Sequence, residues 1–411
     1  MKTTNSKPRV LIFGRNGSSN LCMARSFGSA GFTVEVLRLF QSKPKFTNLM
    51  RLLKPDACSK YVTGWHSCIC GSDNARIADA LMALAKPGEK ILLIPTCDMA
   101  ASAADEYLLK LQPHYLLPSV NGKPGEINRL MDKKLQTRLA AQAGLPVIRS
   151  CVIRTEGGSF TIPDTVRYPS FIKPNVSKDS DKSRIRRCDS ARELHETLTG
   201  YSRTKDVEML VEDFIDIKQE YALLGLSTRD GAIAPGFFAL EQGGHENRRG
   251  VTMVGKILPC TLQSELIHRI THFVHSLGYE GLYDVDLIED RQGNWYFVEL
   301  NLRYGASGYA ITKSGVNLPA MYADYMFCGK PADRNCRVEQ PGKRFVSDKI
   351  LLDEYSRGFL TMAEVRQRMD LADIHFIRDP EDPKPYRHFR KFYLFGAATR
   401  ILFRLKRIVK K

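Results

Sequence analysis

No window of the sequence is apolar for long enough to span a bilayer, so no transmembrane helix is expected. Met1 to Arg9 is polar and leads into one short apolar stretch, which lacks the length of a signal-peptide core. The ten cysteines, scattered from Cys22 to Cys336, lack the paired spacing of a metal site. Cys68-Ile-Cys70 comes nearest, and one intervening residue is too few for a zinc knuckle. Reduced thiols in a cytoplasmic protein are therefore expected. Internal repeats and low-complexity segments are absent as well. Acidic charge is missing from the end: ten Lys or Arg lie between Lys384 and Lys411, with no Asp or Glu. That tail holds most of the formal net charge of +16, and the remainder is only mildly basic, so no nucleic-acid partner is expected.

With 411 residues and 43% apolar content, the chain is long enough for two or three domains. Arg9-Val-Leu-Ile-Phe13 reads as a buried strand running into the turn Gly14–Asn20. A helix over Leu21 to Ala30, Gly31 as its stop and a strand over Thr33 to Leu39 complete a βαβ opening. A later strand, Lys90 to Pro95, ends in a loop carrying Asp98, so the first part of the chain reads as a mostly parallel α/β layer. The turn lacks the full G-x-G-x-x-G spacing and is read as a tight strand-to-helix connection, with anion-binding amides as the alternative. Asn121-Gly-Lys-Pro-Gly125 breaks the pattern, and one helix is expected from about Glu126 to Ala143, stopped by Gly144 and Pro146. Residues 331–385, with Pro331, Pro341, Pro380, Pro383 and Pro385, read as less regular.

The most informative stretch runs from Gly281 to Arg303. Two apolar-rich runs flank the turn signal Arg291-Gln-Gly-Asn294, which predicts a β-hairpin. A turn centred between Gln292 and Gly293 sets Asp286 across from Glu299 and Asp284 across from Asn301. Alternation then gathers Asp284, Asp286, Glu299, Asn301 and Arg303 on one face and sends Val298, Leu300 and Leu302 into the core. An exposed polar hairpin is the bland alternative, but carboxylates opposed on a bare sheet repel each other. Oxygen ligands of this kind suit Mg²⁺, and an arginine fork suits a phosphate or carboxylate.

Glu299-Leu-Asn-Leu-Arg303 followed by Tyr-Gly-Ala-Ser-Gly resembles the metal-binding strand of ATP-grasp enzymes, with Leu302 where the family usually has proline. Met131-Asp-Lys-Lys134 resembles the segment that supplies a first ATP-phosphate lysine, Lys133, and Pro169-Ser-Phe-Ile-Lys-Pro174 the strand carrying a second, Lys173. Val211-Glu-Asp-Phe-Ile215 is similar to the adenine hinge, with Glu212, Phe214 and Ile215 as nucleotide contacts and Glu220 as the ribose-binding acid. The resemblance implies Asp286, Glu299 and Asn301 as metal ligands, Asp284 as a helper, and Arg303 as the catalytic arginine at an acyl phosphate. It departs from the family at the phosphate-covering loop, Asn175 to Ser183, which has no glycine.

The resemblance implies an N-terminal Rossmann-like α/β layer over 1–119 and a two-lobed α+β ATP-grasp domain over 120–330, with lobes of about 120–210 and 211–330. Residues 331–411 are then a C-terminal extension. The resemblance also implies ATP and Mg²⁺ as cofactors, with Mn²⁺ as an alternative, and as partners a small carboxylate such as an amino acid and an amine acceptor. Within the superfamily, Cys22-Met-Ala-Arg-Ser-Phe27, Leu92 to Asp98 and Lys-Pro-Asn-Val-Ser177 resemble D-aspartate ligase-type carboxylate–amine ligases, which implies work on a cell-envelope precursor or peptide. A carbamoyl- or carboxyphosphate-forming enzyme and a non-catalytic ATP-binding regulator are the alternatives. His245, in Gly243 to Arg249, is a candidate substrate contact. From Phe392 onward, Phe395, Ala398, Leu402, Leu405 and Val409 form an apolar stripe, with Arg400, Arg404, Arg407 and Lys411 on another face. Residues 386–411 thus read either as a helix lying on the anionic inner face of a membrane or as one docked on the body.

Overall fold

The structure, a computed structural model, describes residues 8–43, 54–176, 185–203, 206–244 and 251–390. Outside them lie most of the phosphate-covering loop, His245, and the tail from residue 391 with its two stripes.

Five parallel strands open the chain: β1 (Arg9–Gly14), β2 (Thr33–Phe40), β3 (Val62–Ile69), β4 (Ile91–Pro95) and β5 (Tyr115–Leu116), in the order β3-β2-β1-β4-β5. Runs such as Val10–Phe13 and Ile91–Ile94 are buried throughout because helices cover the sheet on both faces. The strand order reverses between β1 and β4, so a crevice opens at their carboxyl ends. The helix after β1 starts at Gly17, earlier than its apolar residues suggest, because the Asn16 side chain accepts from the Ser18 N–H at 3.0 Å. Gly31, at φ 85°, turns the chain from that helix into β2, where a β-carbon would be strained.

The expected helix over Glu126 to Ala143 is two helices, Glu126–Leu130 and Lys133–Gln142. Asp132 breaks them: its extended backbone and its carboxylate, which accepts from the Leu135 N–H at 2.8 Å, make it a cap. A continuous apolar pattern hid this break, since Met131 is also buried.

A four-stranded antiparallel sheet follows. It comprises β7 (Ser150–Arg154), β8 (Ser170–Pro174), β9 (Arg186–Cys188) and β10 (Glu208–Asp213), in the order β7-β10-β8-β9. The larger sheet holds β11 (Ile217–Thr228), β12 (Gly231–Gly243), β13 (Thr252–Pro259), β14 (Tyr279–Asp290) and β15 (Trp295–Asn301). Beneath it, Phe273 and Val274 of helix Ser264–Ser276 share a core with Ile127, Leu130 and Ala140. β6 (Ser119–Val120) pairs with the start of β14.

Residues 331–385 are more regular than their prolines suggest. β16 (Arg344–Val346) and β17 (Ile374–His375) extend the larger sheet beyond β13, and helices Asp348–Arg357 and Met362–Asp370 pack beside them. The chain then returns to the first layer. Arg25, 1% exposed, donates to the carbonyls of Phe376, Ile377 and Asp382 and, from Nε at 3.1 Å, to the Asp382 carboxylate. Ser59 Oγ and the Lys60 N–H bind the same carboxylate, at 2.7 and 3.0 Å.

Candidate functional site

The site forms where the two antiparallel sheets meet above the crevice of the parallel layer. β14 and β15 pair with Asp286 across from Glu299 and Asp284 across from Asn301. A β-bulge beyond Asp286 sets Leu287 opposite Phe297 and leaves Val298 as the extra residue. Val298 is therefore only half-buried and Phe297 takes its place in the core, against the alternation read from the sequence. Leu300 and Leu302 do face the core.

Helix Lys133–Gln142 locks that strand in register. Gln136 donates from Nε2 to the Leu300 carbonyl at 2.8 Å and accepts the Leu300 N–H at 2.8 Å. Lys133, the first residue of that helix, is thereby aimed along the strand, and its Nζ meets Glu299 Oε1 at 2.5 Å. At the same end, Asn175 accepts the Lys133 N–H at its carbonyl and the Lys134 N–H at Oδ1, tying the end of β8 to the helix start.

Lys173, on β8, pairs with Glu212, on β10, at 2.8 Å; both are buried. Phe214 follows in the hinge, with the Arg187 guanidinium 4.4 Å from its ring centre, and Ile215 is half-buried beside it. Glu220 lies on the neighbouring strand, on the same face as Asp286, and close enough to oppose its ionisation. The structure thus divides the residues singled out in the sequence between two sheets. Lys173, Glu212, Phe214 and Ile215 belong to the smaller sheet and its hinge, while Glu220, Asp286, Glu299, Asn301 and Arg303 belong to the larger.

Arg303 is the most constrained side chain of the set. Its Nε donates to Asp98 Oδ1 at 2.9 Å, Nη1 to Asp284 Oδ2 at 3.1 Å, and Nη2 to Asn301 Oδ1 at 3.0 Å. Burial favours loss of its proton, but Asp98, Asp284 and Asp286 outweigh burial and hold its pKa above the ordinary value. Asp98 is the site residue that local sequence reading did not assign. Its partner is 205 residues away, and its only local signal was an acid at the carboxyl end of a buried strand.

The carboxylates outnumber the cations: Asp98, Asp284, Asp286 and Glu299 surround Arg303 and Lys133. Burial, Asp284 and Glu299 push the Asp286 carboxyl up to about 8, against the pull of Arg303. Burial also raises Asp284, whose Oδ1 has no hydrogen-bond partner although the residue is 8% exposed. A buried surplus of negative charge with an unsatisfied carboxylate oxygen suits a divalent cation with oxygen ligands. Among the described residues no three His, Cys, Asp or Glu side chains gather as a metal cluster. The candidate set is instead two carboxylates and an amide. Asn301 Nδ2 faces Asp286 Oδ2 at 3.4 Å and its Oδ1 faces Arg303, so ligation through Oδ1 requires the amide to turn over.

Residues 138–317 match the model of the ATP-grasp domain. That segment holds the residues above except Asp98, Lys133, Lys134 and Gln136. The N5-carboxyaminoimidazole ribonucleotide synthase of Synechococcus elongatus is 27% identical over 176 residues, which are 42% of this chain and 42% of that protein. The match therefore spans less than half the length of this curated relative. The L-amino acid ligase from Bacillus licheniformis superposes with a TM-score of 0.60 at 16% identity, covering 83% of this chain and 79% of that one. N5-Carboxyaminoimidazole synthetase from Staphylococcus aureus, complexed with ADP, gives a TM-score of 0.60 at 14% identity, covering 86% of each chain. At such identities the two structures show a shared fold alone.

Proposed function

We propose that this chain, which carries an ATP-grasp domain over residues 138–317, is an ADP-forming ligase that activates a carboxylate as an acyl phosphate and joins it to an amine. The observation that carries the reading is the buried carboxylate surplus around Arg303, with Asp286 pushed up to about 8 and Asp284 Oδ1 left without a partner. An acidic cluster of this kind is costly unless a cation neutralises it. At 4 Å, two like charges repel by roughly 4 kcal/mol even at an effective dielectric constant near 20.

On this reading residues 120–330 hold ATP between lobes of about 120–210 and 211–330, residues 1–119 close the site through Asp98, and residues 331–390 of the extension brace the larger sheet. Glu212, Phe214, Ile215 and Glu220 take the adenosine, and Lys133 and Lys173 exchange their carboxylate partners for phosphate oxygens. Asp286, Glu299 and Asn301 hold the metal, with Asp284 behind them. Mg²⁺, or Mn²⁺ in its place, supplies charge neutralisation at the transferred phosphoryl group. A carboxylate oxygen attacks the γ-phosphorus, ADP leaves, and Arg303 steadies the acyl phosphate. A neutral amine then attacks the carbonyl carbon, and phosphate departs with the original carboxylate oxygen.

The acid we favour is an amino acid and the acceptor an amine of a peptide or cell-envelope precursor. A second reading, with bicarbonate as the acid, draws support from the name of the Synechococcus elongatus relative. A pairwise screen of amino acids, with a bicarbonate arm, for ATP-dependent phosphate release separates the two. Release that requires one amino acid and one amine supports the first reading, release with bicarbonate supports the second, and release with neither overturns both. Glu299→Gln should abolish the release while the protein stays folded.

The site is further proposed to work in the cytoplasm, at the inner face of an anionic membrane reached through the basic tail. Among the described residues no helix is long and apolar enough to cross a membrane. Binding to anionic liposomes should fall with salt and vanish on deleting residues 391–411; binding that survives the deletion would overturn the tail's role. Residues 386–390 must stay in that variant, because Phe389 is buried against Leu21 and Ile377.

A further inference from the structure

We infer that Asp98 is a positioning residue for Arg303, and that its helix sets Arg303 and Lys133 in common register from the parallel layer. This rests on the ligase reading above and concerns a residue outside the ATP-grasp segment.

Asp98 begins helix Asp98–Glu106 at the carboxyl end of β4. The side chain at the cap position before it, Cys97, makes no capping hydrogen bond, and the Asp98 carboxylate bonds Arg303 at 2.9 Å. An arginine has five N–H donors; Asp98, Asp284 and Asn301 each engage one nitrogen. Asp284 and Asn301 come from the same hairpin as Arg303, so they move with it. Asp98 alone of the three comes from another layer, as the first residue of a helix, and it fixes the fork relative to the crevice.

The far part of the same helix carries a second link. Asp105 Oδ2 accepts from the Asn128 backbone N–H at 2.8 Å and from its Nδ2 at 2.9 Å, and Ser102 Oγ donates to Asn128 Oδ1 at 2.5 Å. Asn128 lies in helix Glu126–Leu130, which leads through the Asp132 cap directly to Lys133. One helix therefore holds Arg303 by its first residue and the approach to Lys133 by its later turns. Movement of the parallel layer would displace both cations together.

The test is a cycle of Asp98→Ala, Arg303→Lys and the double variant, read by phosphate release and by binding of ADP with Mg²⁺. Asp98→Ala should lower kcat by about tenfold to a hundredfold, the scale expected of a misplaced positioning group, with ADP binding unchanged. In the Arg303→Lys background it should lower kcat no further. Asp98→Asn, which keeps an acceptor oxygen, should recover part of the rate. A readout independent of turnover is the arginine Nε–H resonance that Arg303→Lys removes: it should resist solvent exchange in the wild type and lose that protection in Asp98→Ala. Equal kcat losses in both backgrounds, or an unaltered resonance in Asp98→Ala, would overturn the inference. If Asp98→Ala fails to fold, Asp98→Asn carries the same comparisons. A wild type that releases no phosphate with any substrate counts against the ligase reading, and the resonance still decides the role of Asp98.

Discussion

Lys173 lies on β8 of the smaller sheet and Arg303 just beyond β15 of the larger, and their substitution should separate binding from chemistry. Lys173→Ala should weaken ATP binding at least tenfold by calorimetry, because a direct charge-assisted phosphate contact is lost. It should also lower stability, since Glu212, 6% exposed, is left buried without its ammonium partner. Adding Glu212→Ala should restore part of that stability in denaturant titrations and none of the ATP affinity. Arg303→Ala should leave ATP affinity nearly intact and depress kcat about a hundredfold or more. Identical behaviour of the two variants would contradict this division of roles. The facing of Asp286 on Glu299 was read from a turn centred between Gln292 and Gly293; the pairs nearer the turn centre on Gln292, and the extra residue Val298 makes up the difference. The Arg303–Asp98 bond was not legible in the sequence, because no local period links residues 205 apart.

Among the elements, the break at Asp132 and the bulge at Val298 are where local reading failed, and both adjust the site. An unbroken helix over Glu126 to Ala143 would leave Lys133 in mid-helix; the cap makes it the first residue, bonded to Glu299. Asp132→Ala removes the bond to the Leu135 N–H and should cost about 1 kcal/mol, seen as a lowered Tm. ATP binding should weaken with it, because Lys133 loses its fixed start. A lowered Tm with unchanged ATP affinity would show that the cap serves stability alone. The bulge has the opposite relation to prediction. It corrects the pairing between the turn and the site, so Phe297 rather than Val298 enters the core while Glu299 keeps its register. Periodicity counted from the turn had no means of registering one extra residue.

Across the whole molecule, the layers are tied by contacts that composition did not reveal. The five prolines of 331–385 suggested irregularity, yet that stretch adds β16 and β17 to the larger sheet and returns Asp382 to Arg25. Asp382→Ala would strip the Arg25 guanidinium, Ser59 Oγ and the Lys60 N–H of a shared acceptor at a point 1% exposed. A loss of about 3–5 kcal/mol in urea unfolding is expected, as for other buried pairs broken on one side. The broad architecture was legible because buried parallel strands and the carboxylate hairpin each carry a strong local pattern. The central claim, that a carboxylate is activated through its own oxygen, is tested most directly by isotope transfer. With the carboxylate substrate labelled by ¹⁸O and ATP unlabelled, one labelled oxygen should appear in each phosphate released during amide formation. Phosphate released without label, while the amide product forms, would contradict the acyl-phosphate account.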